Sequence, residues 1–294
     1  MSQQRIGMVC SRVRVEEKLL LQAFARYSDA EVIRIADDQF QAPLAGPGRP
    51  SEAVVALRRC DAVLMRCLSH VRQLTIARVL EAWGIVTVNR SAVIETCGDK
   101  LQTTLALAAA GVPTPATRVA FTVEAGLEAV EALGYPAVIK PVTGSWGRLV
   151  ARLNDRDAAE GVLEHKDILG GALQRVLYLQ AHVDKPGRDL RAFVIGDRTV
   201  AAIGRRSPHW VTNTARGAVA ESVEVTPQLD DICRRASAAV GGGALAVDLL
   251  EDRDALLVNE VNATMEFRNS VGPTGVDIAA LLVKHVLDLA VVPT

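Results

Sequence analysis

The chain has 294 residues, 49% of them hydrophobic, 23% charged and only 4% aromatic, with a formal net charge of -1. That length is too great for one small core and suits two or three compact lobes, and the composition excludes a disordered chain. The near-neutral total excludes nucleic acid or an anionic membrane as the main partner.

In chain order, Ile6 to Cys10 reads as a short buried strand, Val15 to Tyr27 as a helix and Glu31 to Ile35 as a second strand. A Pro/Gly-rich loop follows, from Pro43 to Pro50. Ala62 to Met65 is a third strand, Val71 to Trp83 an amphipathic helix and Ile85 to Val88 a fourth strand. This alternation predicts a parallel sheet with crossover helices over residues 1–94.

The next helix starts near Gly98-Asp99-Lys100 and ends at Ala110-Gly111, with Pro113 beyond it. Strands at Ala137 to Lys140, Arg148 to Leu153 and Leu177 to Val183 follow, with a helix from Asp155 to His165. Two strands covered by a helix predict a small α+β lid within residues 95–183. Hairpins dominate residues 184–294. Leu190 to Ile195 and Thr199 to Ile203 flank the turn Gly196-Asp197. Pro227 to Val240 is helical, and strands Ala244 to Leu250 and Ala255 to Asn262 flank a polar turn. The start Met1-Ser2-Gln3-Gln4-Arg5 lacks the apolar stretch of a secretory signal, and no apolar run reaches the roughly 18 residues of a membrane span. Five scattered cysteines, never spaced C-x-x-C, suit a reduced cytoplasmic protein.

The sharpest chemical cluster is Asp248 with Glu260 and Asn262. Glu260 and Asn262 alternate along one strand and share a face. Asp248 interrupts the apolar run Ala246-Val247-Asp248-Leu249-Leu250, where an ionised carboxylate needs a partner. If the two strands pair, three oxygen ligands converge, a donor set suited to Mg²⁺ held jointly with phosphate. The alternative is a half-exposed strand whose carboxylates meet only water.

Cations accompany this cluster. Lys140 ends an apolar strand, and Thr143-Gly144-Ser145-Trp146-Gly147-Arg148 follows as a flexible loop able to bring backbone N–H groups close to phosphate. The loop matches neither G-x-x-x-x-G-K-[ST] nor G-x-G-x-x-G, so a P-loop or Rossmann nucleotide site is excluded. Lys100, Arg188, Asp189, Arg191, Arg205, Arg206, Asn213 and Arg216 are interleaved with apolar residues, and each taken singly reads as a solvated surface group. A triphosphate needs several such cations, since one contact at 4 Å is worth only about 1 kcal/mol in water and about 4 at a surface-like dielectric.

Taken in order, Asp99-Lys100, Val138-Ile139-Lys140-Pro141, Gly144-Ser145-Trp146-Gly147-Arg148, Gly187-Arg188-Asp189-Leu190-Arg191, Asn213-Thr214-Ala215-Arg216-Gly217, Val247-Asp248 and Asn259-Glu260-Val261-Asn262 resemble the ATP-grasp fold of RimK-type ligases. Val88-Asn89-Arg90, Lys185-Pro186-Gly187-Arg188-Asp189 and Thr264-Met265-Glu266-Phe267 extend the likeness over nearly the whole chain. They are most similar to the branch that joins α-aminoadipate to the carrier protein LysW in lysine biosynthesis.

The resemblance implies an ATP-grasp fold with an N-terminal Rossmann-like lobe, and ATP and Mg²⁺ as cofactors. Lys100 and Lys140 would hold phosphates and Ser145, Trp146, Gly147 and Arg148 would close over them. Leu179 to Val183, with Gln180, would form the adenine hinge, and Asp189 would join the nucleotide site. Asp248, Glu260 and Asn262 would bind Mg²⁺. Arg205, Asn213 and Arg216 would face the γ-phosphate and an acyl phosphate. The chain departs from the pattern at Ala181, Ala218 and Ala263, which touches fine positioning and not the reaction type.

The implied chemistry is attack of a carboxylate on the γ-phosphorus, then displacement of phosphate by an amine, with no Ser-His-Asp nucleophile. The carboxylate would be the C-terminal glutamate side chain of a small acidic LysW-like carrier, steered by an arginine rim of Arg66, Arg72, Arg188, Arg205 and Arg206. The amine would be that of α-aminoadipate, or of glutamate in an arginine-biosynthesis relative. A homo-oligomer is the expected assembly. A non-catalytic nucleotide-binding regulator is the rival from another class, and retention of both lysines and all three metal candidates argues against it.

Overall fold

The computed structural model describes residues 3–144, 147–212 and 217–291, which carry three sheets. The first is built from β1 (Gln4–Cys10), β2 (Ala30–Ala36), β3 (Ala62–Arg66) and β4 (Val86–Val88) in the order β2-β1-β3-β4, every pair parallel. Strand β3 is buried along its whole length, which is why it reads as a continuous apolar run with no alternation. Its crossover helices are α1 (Val15–Phe24), α2 (Glu52–Leu57) and α3 (His70–Ala82). Helix α4 (Ser91–Gly98) leads out of this lobe.

Helix α5 (Lys100–Ala109) begins where Asp99 accepts hydrogen bonds from the amides of Leu101 and Gln102. The lid is larger than the sequence reading expects. Strands β5 (Thr117–Ala120), β6 (Ala137–Lys140), β7 (Ala151–Leu153) and β8 (Leu177–Ala181) form a four-stranded antiparallel sheet in the order β5-β8-β6-β7. Two helices, α6 (Val123–Leu133) and α7 (Arg156–Leu169), share its core through Val130, Leu163 and Leu179. Strand β7 starts three residues later than expected because Gly147 to Leu149 form a turn, with Leu149 in the left-handed region at φ 57°.

The third sheet holds β9 (Arg188–Ile195), β10 (Arg198–Arg206), β11 (Val219–Val223), β12 (Ala244–Asp252) and β13 (Ala255–Asn262), in the antiparallel order β11-β10-β9-β12-β13. Its two faces have different fates. Leu190, Ala192, Val194, Leu245 and Val247 pack under α8 (Pro227–Ala239). The opposite face is apolar at one end, where Phe193, Ile195, Ala244 and Ala246 join Ile6, Leu20 and Phe24 of the first lobe. Helix α10 (Ile278–Ala290), which follows the short α9 (Arg268–Thr274), adds Leu282, Val283 and Val286 to that core. At its other end this same face carries Asp189, Arg191, Arg205, Asp248, Glu260 and Asn262, because side chains alternate every two residues. Among the described residues no single helix is long and apolar enough to cross a membrane.

Asn89, just past β4, locks the first lobe to the third sheet. Its Nδ2 donates to the carbonyls of Ala244 at 2.8 Å and Ala263 at 2.7 Å, and its Oδ1 accepts from the Ala244 amide at 2.7 Å. Asn89→Ala removes all three bonds at a buried site, so we expect a loss of about 3 kcal/mol in urea unfolding. Gly243→Ala should destabilise similarly, since a Cβ there would sit 2.1 Å from the Asn89 oxygen and φ is +112°.

Candidate active site

The lid and the third sheet close on a cleft. From the lid come Lys140 at the end of β6, Gly147, Arg148, Gln180, His182 and Val183; from the third sheet come Asp189, Arg205, Asp248, Asn259 and Glu260; Lys100 enters from the first turn of α5. A second cavity adjoins it and shares Gly147, Arg205, Asp248 and Glu260 with it, while Asn262 lines the second cavity alone. Every described residue singled out for the site therefore borders one connected space. Ser145, Trp146, Asn213 and Arg216 lie outside the described residues.

Two lysines point into the cleft with different surroundings. Lys140 Nζ donates to Gln180 Oε1 at 2.6 Å and Asn259 Oδ1 at 2.7 Å. Burial drives its pKa down to about 8, and the nearby charge of Glu260 only partly opposes this. Gln180 thus acts as a buried partner of Lys140, on a strand that stops at Ala181 and leaves His182 and Val183 beyond the ladder. Lys100 Nζ donates to the Gly144 carbonyl at 2.8 Å and lies 3.8 Å from Glu260. Lys100 thereby ties the helix start to the loop that precedes Arg148.

The acids sit in register. Arg191, Asp248 and Glu260 are cross-strand partners on β9, β12 and β13. Asp248 accepts a two-pronged contact from Arg191, both distances 2.7 Å, and Arg205 approaches it at 3.2 Å. Burial pushes the Asp248 carboxyl up, but Arg191 and Arg205 outweigh burial and hold it below the usual carboxylate range. Arg205 is itself buried and held by a second fork to Asp189, at 2.7 and 2.8 Å. Lys185 lies 3.8 Å from Asp189 and donates to Thr212 at 2.6 Å, and burial lowers its pKa.

Sequence reasoning passes over three of these groups. All three stand in quoted motifs without an assigned role, and Arg191 reads singly as one more solvated cation. The cue for Asn259 exists only in space, since its partner Lys140 is 119 residues away.

The arginine rim is corrected. Arg66 is buried against Glu17 at 3.0 Å, and Arg205 is buried between Asp189 and Asp248. Arg188 is spent on Glu251 and Glu221, Arg206 on Glu221, and Arg72 on Asp37. A row of free surface guanidiniums is absent among these five, because they stand on separate elements, Arg66 on β3, Arg72 on α3 and the others on β9 and β10, and each meets a carboxylate there.

A small lid sheet closing with a larger antiparallel sheet over a lysine- and acid-lined cleft is the architecture of ATP-grasp enzymes. Residues 97–286 match the RimK-like ATP-grasp domain, and residues 6–96 match the LysX preATP-grasp domain. The alpha-aminoadipate–LysW ligase LysX of Sulfurisphaera tokodaii is 34% identical over 96% of this chain and 97% of its own length. The glutamate–LysW ligase ArgX of Sulfolobus acidocaldarius is 32% identical over 96% of this chain and 98% of its own. The crystal structure of a RimK domain ATP-grasp protein from Sphaerobacter thermophilus superposes with a TM-score of 0.78 at 29% identity, covering 96% of this chain and 99% of that one. The chain belongs to the RimK-like ATP-grasp family, and it is an ATP-dependent carboxylate–amine ligase of amino-acid biosynthesis.

Proposed function

We propose that this ligase uses ATP to phosphorylate the C-terminal glutamate side chain of a small acidic carrier of the LysW kind and then joins that carboxyl to the amine of α-aminoadipate, in the cytoplasm. One observation carries the reading. Lys100 and Lys140, 40 residues apart in sequence, meet Asp248 and Glu260 from the far end of the chain on one cleft.

Lys100 and Lys140 would take the phosphates, with Gly147 and Arg148 beside them and Gln180 to Val183 along the base. Asp189 keeps Arg205 aimed at the cleft, where Arg205 meets charge developing on the transferred phosphoryl group. The donor set fits magnesium. Asp248 and Glu260 are register partners, and Asn262 adds a third oxygen on the same face. Asp248, Glu260 and Asn262 would hold magnesium, which would supply positive charge against the phosphates.

ADP binding should be proton-linked. The folded pKa of Lys140, about 8, lies below its ordinary 10.5, so its charge costs the folded state most below pH 8 and the cost fades as pH rises toward 10.5. A bound phosphate raises that pKa again. At pH 8, calorimetry in buffers of different ionisation heat should therefore show uptake of up to about half a proton per ADP, lost in Lys140→Met.

The second reading, glutamate in place of α-aminoadipate, is favoured by the near-equal likeness to ArgX. The two substrates differ by one methylene, worth only about 1–3 kcal/mol. Purified enzyme, carrier, ATP and each amino acid in turn, followed by intact mass of the carrier, test both. Faster addition of glutamate moves the enzyme to arginine synthesis, and no addition with either amino acid defeats the carrier reading.

A further inference from the structure

We propose that the second cavity is the amino-acid subsite, in which Glu16 receives the substrate's ammonium group while Arg12 and Arg268 meet its carboxylates. The inference rests on the ligase reading above and names the substrate class as a dicarboxylic amino acid.

Glu16 is the observation that demands a ligand. It sits at the second position of α1, is 0% exposed, and borders the cavity, yet neither carboxyl oxygen has a hydrogen-bond partner. Its neighbour Glu17 is equally buried but fully engaged, by Arg14 at 2.9 Å and Arg66 at 3.0 Å. Buried carboxyls are normally satisfied, so an empty-handed one beside a satisfied one marks a place where a donor from outside is missing.

Among the described residues no cation supplies that donor. Arg14 is taken up by Glu17 and by Glu266 at 2.7 Å. Arg268 Nε stands 4.0 Å from Glu16, beyond hydrogen-bond reach. Burial, followed by the charge of Glu266, pushes the Glu16 carboxyl up, and the charge of Arg14 only partly opposes this. A primary ammonium brings three donors and one positive charge, which is what the position lacks.

The remaining lining matches the rest of such a molecule. Arg12 and Arg268 border the same cavity and are exposed, and Arg12 has no ion-pair partner among the described residues. One unsatisfied acid, the unpaired Arg12 and Arg268, whose one ion-pair contact is the 4.0 Å approach to Glu16, complement a molecule with one ammonium and two carboxylates. The cavity continues to Arg205, Asp248 and Glu260, the end at which the acyl phosphate would form.

The test compares each amino acid with the diacid that lacks its amine: glutamate with glutarate, and α-aminoadipate with adipate, by calorimetry. The wild type should bind the preferred amino acid roughly 10- to 100-fold more tightly than its diacid, the range for a charged hydrogen bond. In Glu16→Gln, nearly the same shape, that ratio should fall to near one. An unchanged ratio in a folded variant overturns the assignment. Should Glu16→Gln fail to fold, exposed Arg12→Ala decides: we expect the KM for the amino acid to rise about tenfold with a smaller change in kcat, and an unchanged KM refutes the subsite. Hydroxylamine in place of the amino acid should trap the acyl phosphate on the carrier with wild-type enzyme, and failure there would count against the ligase reading instead.

Discussion

Glu260→Ala should stop ADP release, lowering turnover on the order of 10²- to 10³-fold with carrier and amino acid at saturation. Glu260 is the cross-strand partner of Asp248 and alternates with Asn262, so its carboxylate is the central member of the proposed magnesium set. Its side chain is 26% exposed and its nearest cation is Lys100 at 3.8 Å, so little of the fold depends on it. The variant should melt close to the wild type, since a partly exposed pair at that distance is worth well under about 1 kcal/mol. Glu260→Gln keeps one oxygen and loses the charge; it should need more Mg²⁺ for half-maximal rate than the wild type. Turnover within tenfold of wild type in Glu260→Ala would show that the metal set lies elsewhere.

Arg205→Met should cost both stability and rate, and the two losses can be separated. Removing one partner of a buried ion pair costs about 3–5 kcal/mol, because the other charge stays buried and uncompensated. Here Asp189 would be left with Lys185 at 3.8 Å, while Asp248 would keep the Arg191 fork. The double variant Arg205→Met with Asp189→Asn removes the stranded charge, so at least half of the lost stability should return in urea unfolding. Rate should stay low by roughly 10²- to 10³-fold in both, since neither restores a cation facing the phosphoryl group. A single variant that is destabilised yet turns over normally would make Arg205 purely structural.

Much of the architecture was legible in the chain. Runs such as Ala62 to Met65 announce strands buried on both faces, and their alternation with helices implies a parallel sheet. The turn at Gly196-Asp197 sets β9 against β10, and the polar turn at Glu251 to Asp254 sets β12 against β13; that turn's register alone would face Asp248 with Asn259, and a bulge between Asp248 and Leu249 brings Glu260 opposite instead. The lid was read as too small. Nothing between Gly111 and Ala137 is assigned in the sequence reading, although Thr122 as a cap, Glu124 in the first turn and Val123, Leu127 and Val130 at helical spacing mark α6. Strand β5 has only four residues and includes Arg118, too short for alternation to show.

The sequence by itself determined the class of elements and the residue types able to hold a nucleotide, because period and turn chemistry are local properties, whereas the bulge that sets Asp248 opposite Glu260 was decided by the fold. Only the tertiary structure decided which charges are free and which are spent. Arg66, Arg188 and Arg205 read alike along the chain, yet folding buries two and pairs all three, whereas Glu17 is satisfied and Glu16 beside it is not. Those outcomes depend on carboxylates and guanidiniums brought together from distant positions, and electrostatic energy depends on distance and burial, which a linear order does not contain.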